Sequence, residues 1–348
     1  MAQEVQFAHV ATGARIAWAS QGRGPPLLRA AHWMTHVERD RDSPIWRPWL
    51  ERLGRSVQMV SYDDRGCGLS GADDTPLGLD AAVEELEAVA DAAGLEQTAL
   101  LGLSGSAGPA IAFAARHPER VAQLVLLGGY TCGLLHRSPS RETLTFHEAV
   151  VRLVEFGWGQ RDSPVQQFFT ATMIPDATLE QVRALNEQQR LSCDGRRAAA
   201  IVRARAAIDV RHLLPLVRCP TLVLHAEGDA TVKVELGREL AASIAGARFE
   251  TLPTRSHIPL AGEPALERFC DAVAGFVQAP QAAALPGITP RERALLELVA
   301  RGLDNLRIAA HLGLADKTVR NALSRLYTRL GGEGRPQAVV RARELGFG

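Results

Sequence analysis

A serine hydroxyl becomes a nucleophile when a positioned base takes its proton. The stretch Leu100-Leu101-Gly102-Leu103-Ser104-Gly105-Ser106-Ala107-Gly108 is suited to presenting one. An apolar run enters Gly-x-Ser-x and continues into a small-residue helix, the pattern of a nucleophile elbow. Small residues let the strand turn sharply into the helix, which lifts the hydroxyl clear of the sheet. The last motif glycine is replaced by Ser106, and centring the motif on Ser106 would lose the first glycine to Ser104. The spacing to the helical run from Ala110 to Val121 favours Ser104, with Ser106 as a competing hydroxyl. A base and an acid follow downstream. His257, after Ser256, would take the Ser104 proton, while Asp229 in His225-Ala226-Glu227-Gly228-Asp229 would hold the imidazole tautomer and stabilise its charged form. Glu227 is a weaker candidate for the acid. Each residue has a plain alternative: Ser104 a turn serine, Asp229 a loop solvator, His257 a helix cap.

These residues need strands that end where they begin. Residues 4–10 and 14–20 alternate apolar and polar around Ala11-Thr12-Gly13, which predicts a β-hairpin. Short apolar runs then recur at 27–31, 57–62, 98–103, 121–127, 220–225 and 247–252, with helical stretches such as 79–93, 107–117 and 236–244 between them. Continuous rather than alternating runs between helices indicate strands buried on both faces, hence a mainly parallel α/β sheet. The rhythm stops between about 131 and 214, where helical, aromatic-bearing sequence predicts a cap over the sheet's C-terminal edge.

The order Ser104, Asp229, His257, each after a strand, together with Tyr62-Asp63-Asp64-Arg65-Gly66-Cys67-Gly68 after another, resembles the α/β-hydrolases throughout residues 1–278. The resemblance implies that these three residues form a catalytic triad and that Asp63 and Arg65 serve loop architecture. Hydrolases commonly carry His-Gly after the strand at 27–30, whereas this chain has Ala31-His32-Trp33. By spacing, the amides of Trp33 and Gly105 would receive an oxyanion; alternatively Trp33 walls the pocket. His32 and His36 are either ligand contacts or partly buried structural residues. Trp158, Phe168 and Phe169 in the cap would line an apolar cavity or simply pack as core.

The segment 279–287, low in charge and holding two prolines, predicts a linker to a second domain at 288–348. Thr289-Pro290-Arg291-Glu292 combines an N-cap, a proline at the first helical position and a glutamate three residues on, a capping box. Asp304 caps a second helix over 305–312 that stops at Gly313, and a third helix spans 316–330. There Val319, Leu323, Leu326 and Leu330 form an apolar stripe, leaving Lys317, Arg320, Asn321, Ser324, Arg325 and Arg329 on other faces. A fourth helix is expected over 335–345. Two helices joined by a tight turn, the second rich in Arg and Lys, form a helix-turn-helix suited to the major groove; a helical docking module is the alternative.

From Gly287 to the end, the elements Leu303 after Ala300-Arg301-Gly302, Lys317-Thr318-Val319-Arg320-Asn321 and Gln337-Ala338-Val339-Val340-Arg341 resemble the LuxR/GerE-type DNA-binding domain. The resemblance implies that Lys317, Thr318, Val319 and Arg320 begin the recognition helix, with Asn321 and Arg325 following, and that Val339 and Ala342 lie on a dimerising helix. Ala315 stands where a capping Ser is usual, a loss of roughly 0.5–2 kcal/mol; Ala322 replaces a frequent His and Gly334 another Ser.

Composition agrees with this division. From Gly287 to Gly348 there are 11 Lys+Arg against 6 Asp+Glu, so the remainder, from totals of 39 and 39, carries 28 against 33. A basic small domain on an acidic large one points to a nucleic-acid partner for the former. Five scattered cysteines without CxxC spacing argue against a disulfide framework or a zinc site and fit a reducing cytoplasm. No run approaches the roughly 18 apolar residues of a membrane span, no signal peptide is legible and no cofactor is expected. The sequence thus predicts an α/β-hydrolase fold with a helical cap plus a small all-α helix-turn-helix domain. It reads as a cytoplasmic transcription regulator that binds double-stranded DNA, a small-molecule ligand and a second copy of itself. The alternative is an active serine hydrolase of an ester or lactone with an accessory helical tail.

Overall fold

The computed structural model describes residues 4–279, 290–329, 334, 335, 337 and 339. The chain divides into two compact units, Met1–Gln278 and Ala279–Gly348; residues 280–289, most of the expected linker and the Thr289 capping box, lie outside the described residues. No helix among the described residues is long and apolar enough to cross a membrane.

The first unit is one eight-stranded sheet. In chain order its strands are β1 (Val5–His9), β2 (Arg15–Gly22), β3 (Pro26–Arg29), β4 (Gln58–Tyr62), β5 (Thr98–Leu103), β6 (Val121–Leu127), β7 (Thr221–Ala226) and β8 (Arg248–Leu252). They lie side by side as β1-β2-β4-β3-β5-β6-β7-β8, antiparallel from β1 to β4 and parallel from β4 to β8. Every residue of β5 and β7 is buried. Side chains alternate across the sheet, so Leu100, Leu124 and Val223 enter one core while Leu101, Val125 and Leu222 enter the other. The first core is closed by α3 (Leu79–Ala92), α4 (Ala107–Arg116) and α9 (Val234–Ala242), the second by α2 (Arg47–Leu53) and α10 (Pro264–Gln278), a short α1 (Val37–Asp40) preceding α2. The chain leaves β3 toward β4 and returns on the other side as β5. The strand order therefore reverses here, and in open α/β sheets such a point opens a crevice beyond the strands' C-terminal ends.

Four cap helices follow β6: α5 (Arg141–Gly157), α6 (Pro164–Met173), α7 (Leu179–Ser192) and α8 (Gly195–Ala206). Their starts are written locally. Ser140, Ser163, Thr178 and Asp194 each accept a first-turn backbone N–H, and Thr178 with Gln181 completes a capping box.

In the second unit α11 (Pro290–Ala300), α12 (Asn305–Leu312) and α13 (Asp316–Arg329) surround a core of Leu295, Leu296, Val299, Ile308, Val319, Leu323 and Leu326. Asp304 caps α12 by accepting the Arg307 N–H, and Gly313 ends it in the left-handed conformation at φ +63°. Arg335, Gln337 and Val339 are helical, with Val339 packed on this core; Ala342 and the rest of the expected fourth helix lie outside the described residues.

Candidate functional site

Ser104, Asp229 and His257 stand just beyond the C-terminal ends of β5, β7 and β8. Ser104 adopts φ +55°, a left-handed conformation costly for a residue with a Cβ. That strain is the price of a turn tight enough to lead from β5 into α4. Gly102 makes the turn possible, since a Cβ there would lie 2.9 Å from Ala107 Cα and from Ala110 Cβ. Ser106 has a different part. Its hydroxyl is buried, accepts the Leu103 N–H at 2.9 Å and donates back to the Leu103 carbonyl, so it braces the elbow.

The His257 Nδ1–H donates to Asp229 Oδ2 at 2.5 Å. Asp229 Oδ1 accepts the backbone N–H of Thr231 (2.8 Å) and Val232 (2.9 Å). Burial works to raise the Asp229 carboxyl, but the His257 hydrogen bond and charge and these two amides outweigh it, leaving the group below the ordinary carboxylate range. The ionised carboxylate can only accept, which fixes the His257 proton on Nδ1 and leaves Nε2 as a base. His257 Nε2 is buried without a hydrogen-bond partner, so its link to the Ser104 hydroxyl is not made in this conformation. Such links often tighten only when substrate is bound.

His225, at the end of β7, lies beneath this pair, its Nε2 on the Val232 carbonyl at 2.8 Å and 3.6 Å from Asp229 Oδ2. Burial lowers its pKa, so it adds no charge to the pair while holding the loop that carries Asp229. Glu227, the weaker candidate acid, instead accepts the Thr251 hydroxyl at an exposed position. Gly128, at φ +58°, touches the imidazole: a Cβ there would stand 2.6 Å from His257 Cε1. Gly128→Ala therefore adds a strained backbone of roughly 1–2 kcal/mol and pushes the ring off Asp229. The expected result is a lowered melting temperature together with loss of serine-probe labelling, read by calorimetry and gel fluorescence.

The cap reaches into the same place. The His257 N–H donates to the Met173 carbonyl at 2.7 Å, and the Thr231 hydroxyl to the Thr172 carbonyl at 3.0 Å, so the end of α6 holds both site loops. Trp158, fully buried after α5, meets Trp33 edge-on at 5.5 Å and Phe169 at 5.7 Å. The indole N–H groups of Trp33 and Trp158 are buried and unpaired. The expected place of Phe168 needs correction. It is 46% exposed, and its ring meets that of Phe169 at 5.3 Å. Consecutive helical residues are about 100° apart, and Phe169 takes the inner direction.

Arg205 on α8 is a site residue that sequence reasoning missed. Its guanidinium donates to the His32 carbonyl and to Asp64 Oδ2 at 3.3 Å, and lies 5.8 Å from the Trp33 ring. It closes on the elbow as well, since a Cβ at Gly105 would be 2.9 Å from Arg205 Cδ. A charged residue in a helix reads as solvated surface, so nothing local marked it. Beside it a cavity of about 40 Å³ is lined by Asp64, Glu85, Gly105, Ser106 and Arg205 among others. Burial raises both acids; Arg205 opposes this at Asp64, whereas Asp64 itself pushes Glu85 further up. Of the candidate histidines, His32 packs on Trp46 at 4.4 Å with both ring nitrogens unpaired, and burial, then Arg29 and Arg205, hold it well below its ordinary pKa. His36 precedes α1 and is buried. Asp63 and Arg65 are architectural. Asp63 accepts the N–H groups of Val37 and Leu69, and Arg65 binds Asp73, Glu84 and Glu85.

In the second unit Lys317, Thr318, Arg320, Asn321 and Arg325 are exposed on α13, on the side away from the core. Arg320 forms an intrahelical ion pair with Asp316. Val319 is the exception among the expected DNA-contacting residues: it is completely buried, because its position repeats with Leu323 and Leu326 on the core face.

Residues 40–264 match the family described as alpha/beta hydrolase fold, and residues 286–342 match bacterial regulatory proteins, luxR family. The chain belongs to the α/β-hydrolase fold family and ends in a luxR-family domain. It is 28% identical over 244 residues to RutD of Azorhizobium caulinodans, named for carbamate hydrolysis, covering 68% of this chain and 85% of that one. Over 61 residues it is 52% identical to the DNA-binding transcriptional activator DevR/DosR of Mycobacterium tuberculosis, covering 18% of this chain and 28% of that one. An esterase from Exiguobacterium antarcticum shares the fold of the larger unit at a TM-score of 0.68 and 20% identity, over 79% of this chain and all of that structure (100%).

Proposed function

We propose that this chain is a cytoplasmic one-component transcription regulator: the hydrolase-fold domain binds a small carbonyl compound, and the luxR-type domain binds double-stranded DNA as a homodimer. The observation that carries the reading is the joining, in one chain, of a luxR-family domain exposing a polar and basic helix face to a hydrolase-fold domain that retains Ser104, Asp229 and His257. The buried, unpaired Trp33 and Trp158 N–H groups and His257 Nε2 favour a ligand, because buried polar atoms without partners are costly unless something completes them. Slow hydrolysis of the bound ligand would be a separate, later step, in which Ser104 would add to its carbonyl, His257 Nε2 would take the proton, and the amides of Gly105 and Trp33 would hold the oxyanion.

A second reading, an active ester or lactone hydrolase, is favoured by the short Asp229–His257 hydrogen bond. The absence of the usual glycine in Ala31-His32-Trp33 and the packing of Arg205 against Gly105 favour binding with slow turnover. Gel-shift titration of the full chain on its own gene's upstream region, with and without a small-molecule extract of the source cells, separates the readings. The regulator gives salt-dependent binding that the extract changes by about 5–150-fold, the range of ordinary allosteric coupling. A chain that binds no DNA at low salt is not a regulator, and the hydrolase reading then takes its place.

A further inference from the structure

The loop after β4 meets the cap along a narrow seam. Gly66 and Gly68 flank Cys67 at φ +70° and +53°, and a Cβ at Gly66 would lie 2.7 Å from Arg197 Nε. Bare backbone thus lets the loop close on α8. Across the seam, Cys193 is the extended residue (φ −164°, ψ 170°) that joins α7 to Asp194, the N-cap of α8. The Gly68 N–H donates to the Ser192 carbonyl at 2.6 Å, and the Arg197 Nε–H to the Arg65 carbonyl at 2.8 Å. The first of these bonds joins the peptide unit of Cys67 and Gly68 to that of Ser192 and Cys193, so each unit holds a cysteine Cα. Bonded peptide units bring such Cα atoms within reach of the span of about 4.4–6.8 Å that a disulfide requires.

The thiols themselves meet. The Cys193 side chain, then burial, then the Asp64 charge raise Cys67 well above the ordinary thiol range, with Arg197 opposing them. Cys132, Cys219 and Cys270 lie elsewhere, after β6, before β7 and on α10. Cys67 also belongs to the surroundings of the candidate site. It is buried in one cluster with Met34 and Trp158, against which Trp33 and Cys193 pack. We propose that Cys67 and Cys193 are an oxidisable pair, a site at which a hydroperoxide forms a disulfide that fastens the cap to the core domain.

Cys193 is half-buried and is the sulfur that an oxidant reaches first. Its thiolate attacks hydrogen peroxide: an S–O bond forms, the O–O bond breaks, and the departing hydroxide takes the Cys193 proton as water. Cys67, whose raised thiol makes it the second sulfur to react, then attacks the sulfenic sulfur. The S–S bond forms, the S–O bond breaks, and hydroxide leaves with the Cys67 proton as a second water. Two thiols and one peroxide thus become one disulfide and two waters, the two electrons passing from sulfur to peroxide oxygen. A dithiol reductant restores the pair by exchange. The consequence for the site follows from packing. A ligand that reaches the buried indole N–H groups of Trp33 and Trp158 must part rings that pack with Cys67. Hydrogen bonds across the seam yield to that motion, whereas a disulfide does not. This effect on the ligand rests on the proposed reading of the site; the cross-link does not.

Mild hydrogen peroxide treatment of the reduced full chain, followed by thiol counting and peptide mapping, tests the inference. The count of five cysteine thiols should fall by two, with a Cys67–Cys193 peptide pair that dithiothreitol separates. Cys193→Ser alters a half-buried residue, so this variant should keep both its fold and its remaining thiols. Cys67→Ala should instead leave Cys193 as a sulfenic acid that dimedone traps. In the oxidised chain, hydrogen exchange of α7 and α8 should slow, and fluorophosphonate labelling of Ser104 should slow by at least about tenfold as the opened cap becomes a rarer state. Dithiothreitol should reverse both effects, and neither cysteine variant should show them. An unchanged thiol count, a cross-link to another cysteine, or a Cys67–Cys193 cross-link that leaves exchange of α7 and α8 unchanged overturns the inference. If the reduced chain takes no label, the Ser104 assignment fails instead, and exchange of α7 and α8 still decides whether the disulfide fastens the cap.

Discussion

Ser104→Ala is expected to abolish labelling by a fluorophosphonate probe, with the labelled peptide of the unmodified chain mapping to Ser104. Ser106→Ala should keep the label, because the Ser106 hydroxyl is held by Leu103 within the elbow; the variant should instead lose about 1–3 kcal/mol of stability by leaving buried backbone groups unpaired. Mass mapping decides between the two hydroxyls, and a label on Ser106 would refute the assignment. Asp229→Asn should lower the labelling rate by up to about 10⁴-fold, since an amide no longer holds the proton on His257 Nδ1. Turnover is a stricter demand than labelling. A misplaced oxyanion donor costs about 10²–10³ in rate, and the Trp33 amide belongs to a loop that lacks the usual glycine. Weak hydrolysis of short p-nitrophenyl esters is therefore expected beside clear labelling. Ligand-dependent DNA binding should survive Ser104→Ala; if the variant binds ligand yet no longer switches, catalysis is itself the signal.

The second large effect is on DNA. Arg320→Ala should weaken specific binding by about 1–3 kcal/mol if the guanidinium reads a base, with specificity relaxed at that position. Lys317→Ala should weaken binding to all sequences alike and lower the salt slope by about one, the signature of a phosphate contact. Both side chains are exposed on α13, so neither change should alter the melting temperature. Val319→Ala is the contrast. It removes buried volume from the small core and should cost stability before it costs any DNA contact, by roughly 1–3 kcal/mol from the lost apolar burial. Fluorescence anisotropy at several salt concentrations, beside thermal melts, separates the three. An Arg320→Ala chain that binds specific and unrelated DNA as the parent does would remove α13 as the reading helix.

Much of this protein is decided by short-range chemistry and is legible from neighbouring residues. Gly102 and Ser104 specify the elbow because only a small residue lets β5 turn so closely onto α4. Ser140, Ser163, Thr178 and Asp194 announce the cap helices because a helix start has N–H groups that a nearby side chain must satisfy. The apolar period of α13 likewise sets Val319 with Leu323 and Leu326, and it is this period, not the family resemblance, that located its side chain correctly. Tertiary structure decided what depends on which partner covers a face. Phe168 and Phe169 are alike in sequence, and only the packing of α6 beside Trp158 makes the second the inner ring. Arg205 became part of the site because α8 folds back over Gly105, bringing a charge to the His32 carbonyl and Asp64 from the far end of the cap. Gly128 gained its meaning only when β8 placed His257 against it. Local sequence sets backbone shape and the direction of each side chain, but the energy of a buried charge, ring or missing Cβ belongs to contacts between segments distant in the chain.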